Sequence, residues 1–100
     1  MKQDIQKIKI VMVDDHPLFR QGLIKHLDPK QYDLLFDVSD GAALMEKIRE
    51  SELNVPDVII MDIDMKGING YETVAWLRSN YSQVRILVIS VVDNVFVSSR

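Results

Sequence analysis

The sequence predicts an α/β fold, a doubly wound parallel sheet with helices on both faces. Two observations carry this. Short apolar runs rich in β-branched residues recur: Ile10-Val11-Met12-Val13, Val58-Ile59-Ile60-Met61 and Ile86-Leu87-Val88-Ile89. Runs of that length read as strands buried on both faces. Between them lie segments with apolar residues at helical spacing, such as Phe19, Leu23 and Leu27. Strands that alternate with amphipathic helices, joined by right-handed crossovers, build a parallel sheet. Four strands suit an open sheet, because a closed α/β barrel needs about eight.

Taken in order, residues 7–13 alternate and then turn fully apolar, as a first strand entering from solvent would. Pro17 suits the first turn of a helix, and an acid or histidine before it can cap orphan N–H groups. The helix runs over residues 17–27 and stops at Asp28-Pro29. Residues 33–38 form a second strand. Ser39-Asp40-Gly41 opens a second helix, whose stripe is Leu44, Met45 and Ile48 and which ends near Glu50. Residues 58–61 are the third strand. A third helix covers residues 71–79 and buries Val74, Leu77 and Trp76. Residues 85–90 are the fourth strand. In the tail, residues 91–100, Asp93 is placed to cap a fourth helix, which is the expected state. Val95-Phe96-Val97 has strand propensity against that, and a hairpin about Asp93-Asn94 is the alternative.

Composition narrows the function classes. The chain has 100 residues, a net charge of −3 and no cysteine. One domain, residues 1–100, is the expectation. There is no disulfide framework or thiolate metal site. No basic run offers a nucleic-acid surface in this segment. No apolar run approaches the ~20 residues of a membrane span, and no signal-peptide pattern opens the chain. A soluble, cytoplasmic domain without membrane contact is expected.

The chemistry gathers at strand ends. Asp14 and Asp15 follow the first strand, and Asp62 follows the third. In a flavodoxin-like sheet of order 2-1-3-4 these strands are neighbours, and ligands bind outside their carboxyl ends. Neighbouring strands lie about 4.8 Å apart, so the carboxylates would repel and raise one another's pKa. A divalent cation relieves this, and an all-oxygen set suits Mg2+ rather than zinc. Each acid alone has a plainer explanation as a cap or a solvated turn; their meeting at one crevice favours a site. Ser90 follows the fourth strand on the same edge, where a hydroxyl could donate to a phosphoryl oxygen. His16 reads as a helix-start residue and His26 as solvated.

Three motifs in register, Val11-Met12-Val13-Asp14-Asp15-His16-Pro17, Asp62-x-x-Met65-x-x-x-x-Gly70 and Ile86-Leu87-Val88-Ile89-Ser90, resemble the receiver domain of two-component response regulators. The Asp-Asp-His-Pro form resembles the subgroup that usually carries a C-terminal helix-turn-helix. The resemblance implies that Asp62 is the phosphoacceptor. It implies that Asp14, Asp15 and Asp62 hold Mg2+ together with the backbone carbonyl of Asp64, and that Ser90 contacts the phosphoryl group. The implied partner is a sensor histidine kinase or phosphotransfer protein, and the implied activity is self-phosphorylation and self-dephosphorylation without turnover. Contact with DNA is expected only through a C-terminal domain absent from this chain.

Lys66 stands where the family usually has proline after the methionine. The chain is expected to end before the family's strand five, so the lysine on that strand, the aromatic switch residue and the last helix have no counterpart. The outer edge of the fourth strand is thereby left bare, and self-association is expected. Two other functions compete. Asp62-Ile63-Asp64 after an apolar strand resembles the Asp-x-Asp signature of haloacid-dehalogenase-type phosphohydrolases, but lies late in the chain and leaves Asp14-Asp15 unexplained. A receiver-like module that never takes phosphate is the other.

Overall fold

The computed structural model describes residues 6–62, 70–90 and 95–99. Four parallel strands, β1 (Ile8–Val13), β2 (Tyr32–Val38), β3 (Val58–Asp62) and β4 (Arg85–Ser90), lie in the order β2-β1-β3-β4. The helices between them are α1 (Pro17–Lys25), α2 (Gly41–Glu50) and α3 (Gly70–Asn80). The apolar runs predict the parallel sheet, and its order is the flavodoxin-like one expected.

Local chemistry sets the helix ends. Pro17 is the first residue of α1. At its other end the amides of His26 and Leu27 bond to the carbonyls of Leu23 and Ile24 at 3.0 and 3.1 Å. Those three-residue bonds tighten the last turn, so the helix stops two residues short of the expected Leu27. The Asp40 carboxylate accepts from the Ala43 N–H at 2.8 Å and caps α2. Ser51 in the same way accepts from Leu53 N–H and starts a single 3-10 turn, Glu52–Asn54.

One face of the sheet is densely filled. The pairings set Val11, Ile59 and Ile86 in one row and Val13, Met61 and Val88 in the next. Leu44 and Ile48 of α2 and Leu77 of α3 close over both rows in a single buried cluster. The expected stripe of α2 is therefore correct, and Leu77 is the fully buried member of α3. Val74 and Trp76 are half-buried, and Thr73 is buried although the sequence did not mark it.

The opposite face is thinner. The chain moves left from β1 to β2 and then right to β3 and β4, so right-handed crossovers put α1 on the face away from α2 and α3. Met12 is buried on that side, but α1 has no fully buried residue, and Phe19, Leu23 and Leu27 are half-buried.

The tail differs from the expected helix. Val95–Ser99 forms β5, antiparallel to β4, with Val88 opposite Val97 and Ser90 opposite Val95. The strand propensity of Val95-Phe96-Val97 and the unpaired N–H and C=O groups of β4 act together. A ladder along β4 satisfies those groups, and an isolated helix in the tail would not. Asp93 and Asn94, the turn of the hairpin alternative, lie outside the described residues.

Ile59 sits at the centre of the filled face with no exposed surface. Ile59→Ala should cost about 2–5 kcal/mol, because the strands on either side restrict collapse of the cavity. Urea unfolding followed by Trp76 fluorescence measures it, and a loss below ~1 kcal/mol would show that the row is not the core.

Candidate functional site

The β1–β3 register runs to Val13 opposite Met61. The next residues on the two strands are Asp14 and Asp62, so both acids reach the carboxyl edge of the sheet side by side. Both are buried with no exposed surface. The Asp14 N–H donates to the Val38 carbonyl at 3.1 Å and carries the β1–β2 ladder one step further. Asp15 turns outward and is partly exposed.

His16 completes the group, as the sequence reading did not foresee. Its Nδ1 lies 3.2 Å from Asp14 Oδ1, 2.9 Å from Asp15 Oδ1 and 3.3 Å from Asp62 Oδ2. One ligand atom from each of Asp14, Asp15, His16 and Asp62 falls within 4.8 Å of the others. The His16 backbone N–H also donates to Asp14 Oδ1 at 2.6 Å. Its side chain makes no cap bond to α1, although the residue occupies the N-cap. The sequence signal was the adjacency Asp14-Asp15-His16, read as a cap because no second histidine stands at ligand spacing. His26 is exposed, as expected.

Arg20 is a second residue that sequence reasoning passed over. It forms an ion pair with Asp37 at 2.8 Å, and its guanidinium donates to the backbone carbonyls of Asp14 and, at 3.3 Å, Val38. It lies one turn into α1, where a long planar donor can reach both strand ends. Arg20 thus ties α1 to the carboxyl ends of β1 and β2.

The electrostatics follow from burial. Desolvation is the main influence on Asp14 and pushes its pKa up. The His16 amide opposes that, and the Asp62 charge adds to it. Desolvation lowers the His16 pKa, but Asp15, Asp14 and Asp62 outweigh it and the net direction is up. Among the described residues, buried Asp14 Oδ2 has no hydrogen-bond partner. A cluster of carboxylate oxygens with such an atom fits a divalent cation by charge and by donor type.

Of the other expected site residues, Asp64 lies outside the described residues, as do Met65 and Lys66. Ser90 is the last residue of β4.

The family model for the response regulator receiver domain matches residues 10–99. The chain belongs to the response regulator receiver family. The receiver is 39% identical over 89 residues to a nitrate/nitrite response regulator protein homolog of Haemophilus influenzae, covering 87% of this chain and 41% of that protein. It is 39% identical over 90 residues to the transcriptional regulatory protein DegU of Brevibacillus brevis, covering 88% of this chain and 36% of that one. The receiver thus spans about two-fifths of the length of these curated relatives. Among solved structures, the signal receiver domain of NarL from Mycobacterium tuberculosis superposes with a TM-score of 0.74 at 36% identity. That match covers 86% of this chain and 68% of the other. Family membership displaces the phosphohydrolase alternative, since receivers are in general not turnover enzymes. Among the described residues, no helix is long and apolar enough to cross a membrane.

Asp14→Asn should stabilise the metal-free receiver by about 1 kcal/mol at neutral pH, because it removes a buried charge that faces a second carboxylate. The folded-state pKa of Asp14 is raised, so its cost is present while it is ionised and fades as pH falls through that pKa. The gap between variant and parent should therefore narrow toward acid pH. Thermal melts in chelator across pH 4–8 check this. A variant that melts lower than the parent at neutral pH would make the carboxylate a structural asset.

Proposed function

We propose that residues 1–100 act as one phosphoacceptor receiver unit and that Asp62 takes a phosphoryl group from the phosphohistidine of a sensor kinase or phosphotransfer protein. The observation that carries this is a buried Asp62 beside Asp14 and Asp15 at the carboxyl ends of adjacent strands. A carboxylate oxygen of Asp62 attacks phosphorus as the P–N bond to the donor imidazole breaks. The electron pair leaves on that nitrogen, and Asp62 becomes an acyl phosphate. Attack by water later returns the carboxylate and inorganic phosphate.

Such transfers depend on positioning and charge neutralisation. Asp14, Asp15 and Asp62 would hold Mg2+ with the backbone carbonyl of Asp64, and Ser90 would donate its hydroxyl to a phosphoryl oxygen. Bound there, the ion supplies neutralisation of the phosphoryl oxygens. Arg20 fixes the main chain of Asp14, and the buried rows beneath fix the spacing of the acids. The relatives' names state response regulation and transcriptional regulation for them. We extend to this receiver the role of passing its phosphorylation state to a transcriptional output.

Acetyl phosphate with Mg2+ should add one phosphate to the protein by intact mass, and Asp62→Asn should lose it. The addition should fall at least tenfold in chelator. A phosphate that persists in Asp62→Asn would assign the nucleophile elsewhere.

We propose in addition that the receiver pairs with a second copy of itself. β5 is the outermost strand of the sheet, and the sheet order gives its outer edge no partner among the described residues. A two-fold axis would pair this edge with its copy in an antiparallel ladder. Light scattering should show the apparent mass rising toward twice 11.5 kDa with concentration, and Val97→Pro should hold it at one mass. A constant monomer in the parent would refute the pairing.

A further inference from the structure

We propose that His16 is a cation ligand through Nδ1, and that it gives the site a preference for ions that accept imidazole, such as Zn2+, over Mg2+. The proposal rests on reading the acidic cluster as a cation site. Three observations carry it. First, Nδ1 stands 2.9–3.3 Å from one oxygen of each of three carboxylates. In an octahedron with bonds of about 2.1 Å, neighbouring donors lie ~3.0 Å apart. The nitrogen is therefore at the spacing of a ligand adjacent to all three oxygens. Second, among the described residues the second oxygen of the fully buried Asp14 has no hydrogen-bond partner, which leaves it as coordination capacity for an ion. Third, the imidazole is half-exposed and makes no cap bond to α1, so ligation through Nδ1 costs the helix no capping bond.

Donor type then decides which ion gains. Carboxylates suit Mg2+, whereas imidazole adds most for Zn2+ and the later first-row ions. A nitrogen donor gives little to Mg2+, which binds oxygen and keeps its waters. The consequence is specific to this chain: its donor set contains a nitrogen, where composition alone pointed to oxygen only.

The test uses the full chain with His26→Gln, which removes the other imidazole, with and without His16→Ala. Zn2+ and Mg2+ are titrated separately by calorimetry. His16→Ala should weaken Zn2+ at least tenfold and change Mg2+ by less than threefold. In the parent, the 15N resonance of His16 Nδ1 should move on addition of Zn2+. Equal losses for the two ions, an unchanged Zn2+ affinity, or a stationary Nδ1 resonance would each overturn the assignment. Phosphorylation by acetyl phosphate with Mg2+ is measured on the same two proteins. If Asp62 takes phosphate in both and the Zn2+ difference is missing, the ligand role of His16 fails alone. If neither is phosphorylated and the Zn2+ difference holds, the receiver reading fails and the ligand role stands.

Discussion

The constraint on which this molecule depends is the pairing register between β1 and β3. With Val13 opposite Met61, the next residues on the two strands are both aspartates, and both are buried. Two ionised carboxylates at that spacing repel, and neither has full access to water to soften the cost. The register holds because a slip of one residue would turn Val11, Val13, Ile59 and Met61 to the wrong face. Those side chains are locked beneath Leu44, Ile48 and Leu77. Packing on one face of the sheet thus pins an unfavourable charge arrangement at its edge. Strain of this kind persists only where the surroundings over-determine it, and it marks functional sites.

The positive groups nearby act on different atoms, and the difference matters. Arg20 reaches the main-chain carbonyl of Asp14 and the carboxylate of Asp37. It braces Asp14 through the main chain and not through the carboxylate. His16 alone among the described residues brings a side-chain nitrogen to the carboxylates of Asp14, Asp15 and Asp62 together. An arginine in that place would close the site with a permanent charge, whereas an exposed imidazole can be displaced or can bind an ion.

The parallel sheet was legible because strands buried on both faces leave short apolar runs bounded by turn residues, whereas the order 2-1-3-4 came with the flavodoxin-like resemblance. The acids at Asp14, Asp15 and Asp62 were legible for a related reason: a charge at the end of such a run has to stand at the sheet's carboxyl edge. The roles of His16 and Arg20 were not. Each depends on a rotamer reaching across from α1 to two strands, and side-chain reach over a helix N-terminus leaves no periodic trace. The tail failed differently. Asp93 gave a local helix signal, but the open hydrogen bonds of β4 are a property of the whole sheet, and the ladder with β5 outweighs local propensity.

The two faces of the sheet are unequal, and the site is joined to the weaker one. α2 and α3 contribute fully buried side chains to their face, while α1 contributes none. Yet His16 occupies the N-cap of α1, and Arg20 on that helix braces Asp14. The nitrogen beside the acids therefore rides on the helix with the least apolar anchoring. Helices held by few buried contacts open or shift at low free-energy cost. A small movement of α1 would change the distance from Nδ1 to Asp14 and Asp62 at once, since those two acids follow strands held by the register and the packed face. Whatever covers the half-buried Phe19, Leu23 and Leu27 of this helix region also sets the position of His16. Burial on one side of α1 and the position of the His16 imidazole beside the acids are in this way coupled.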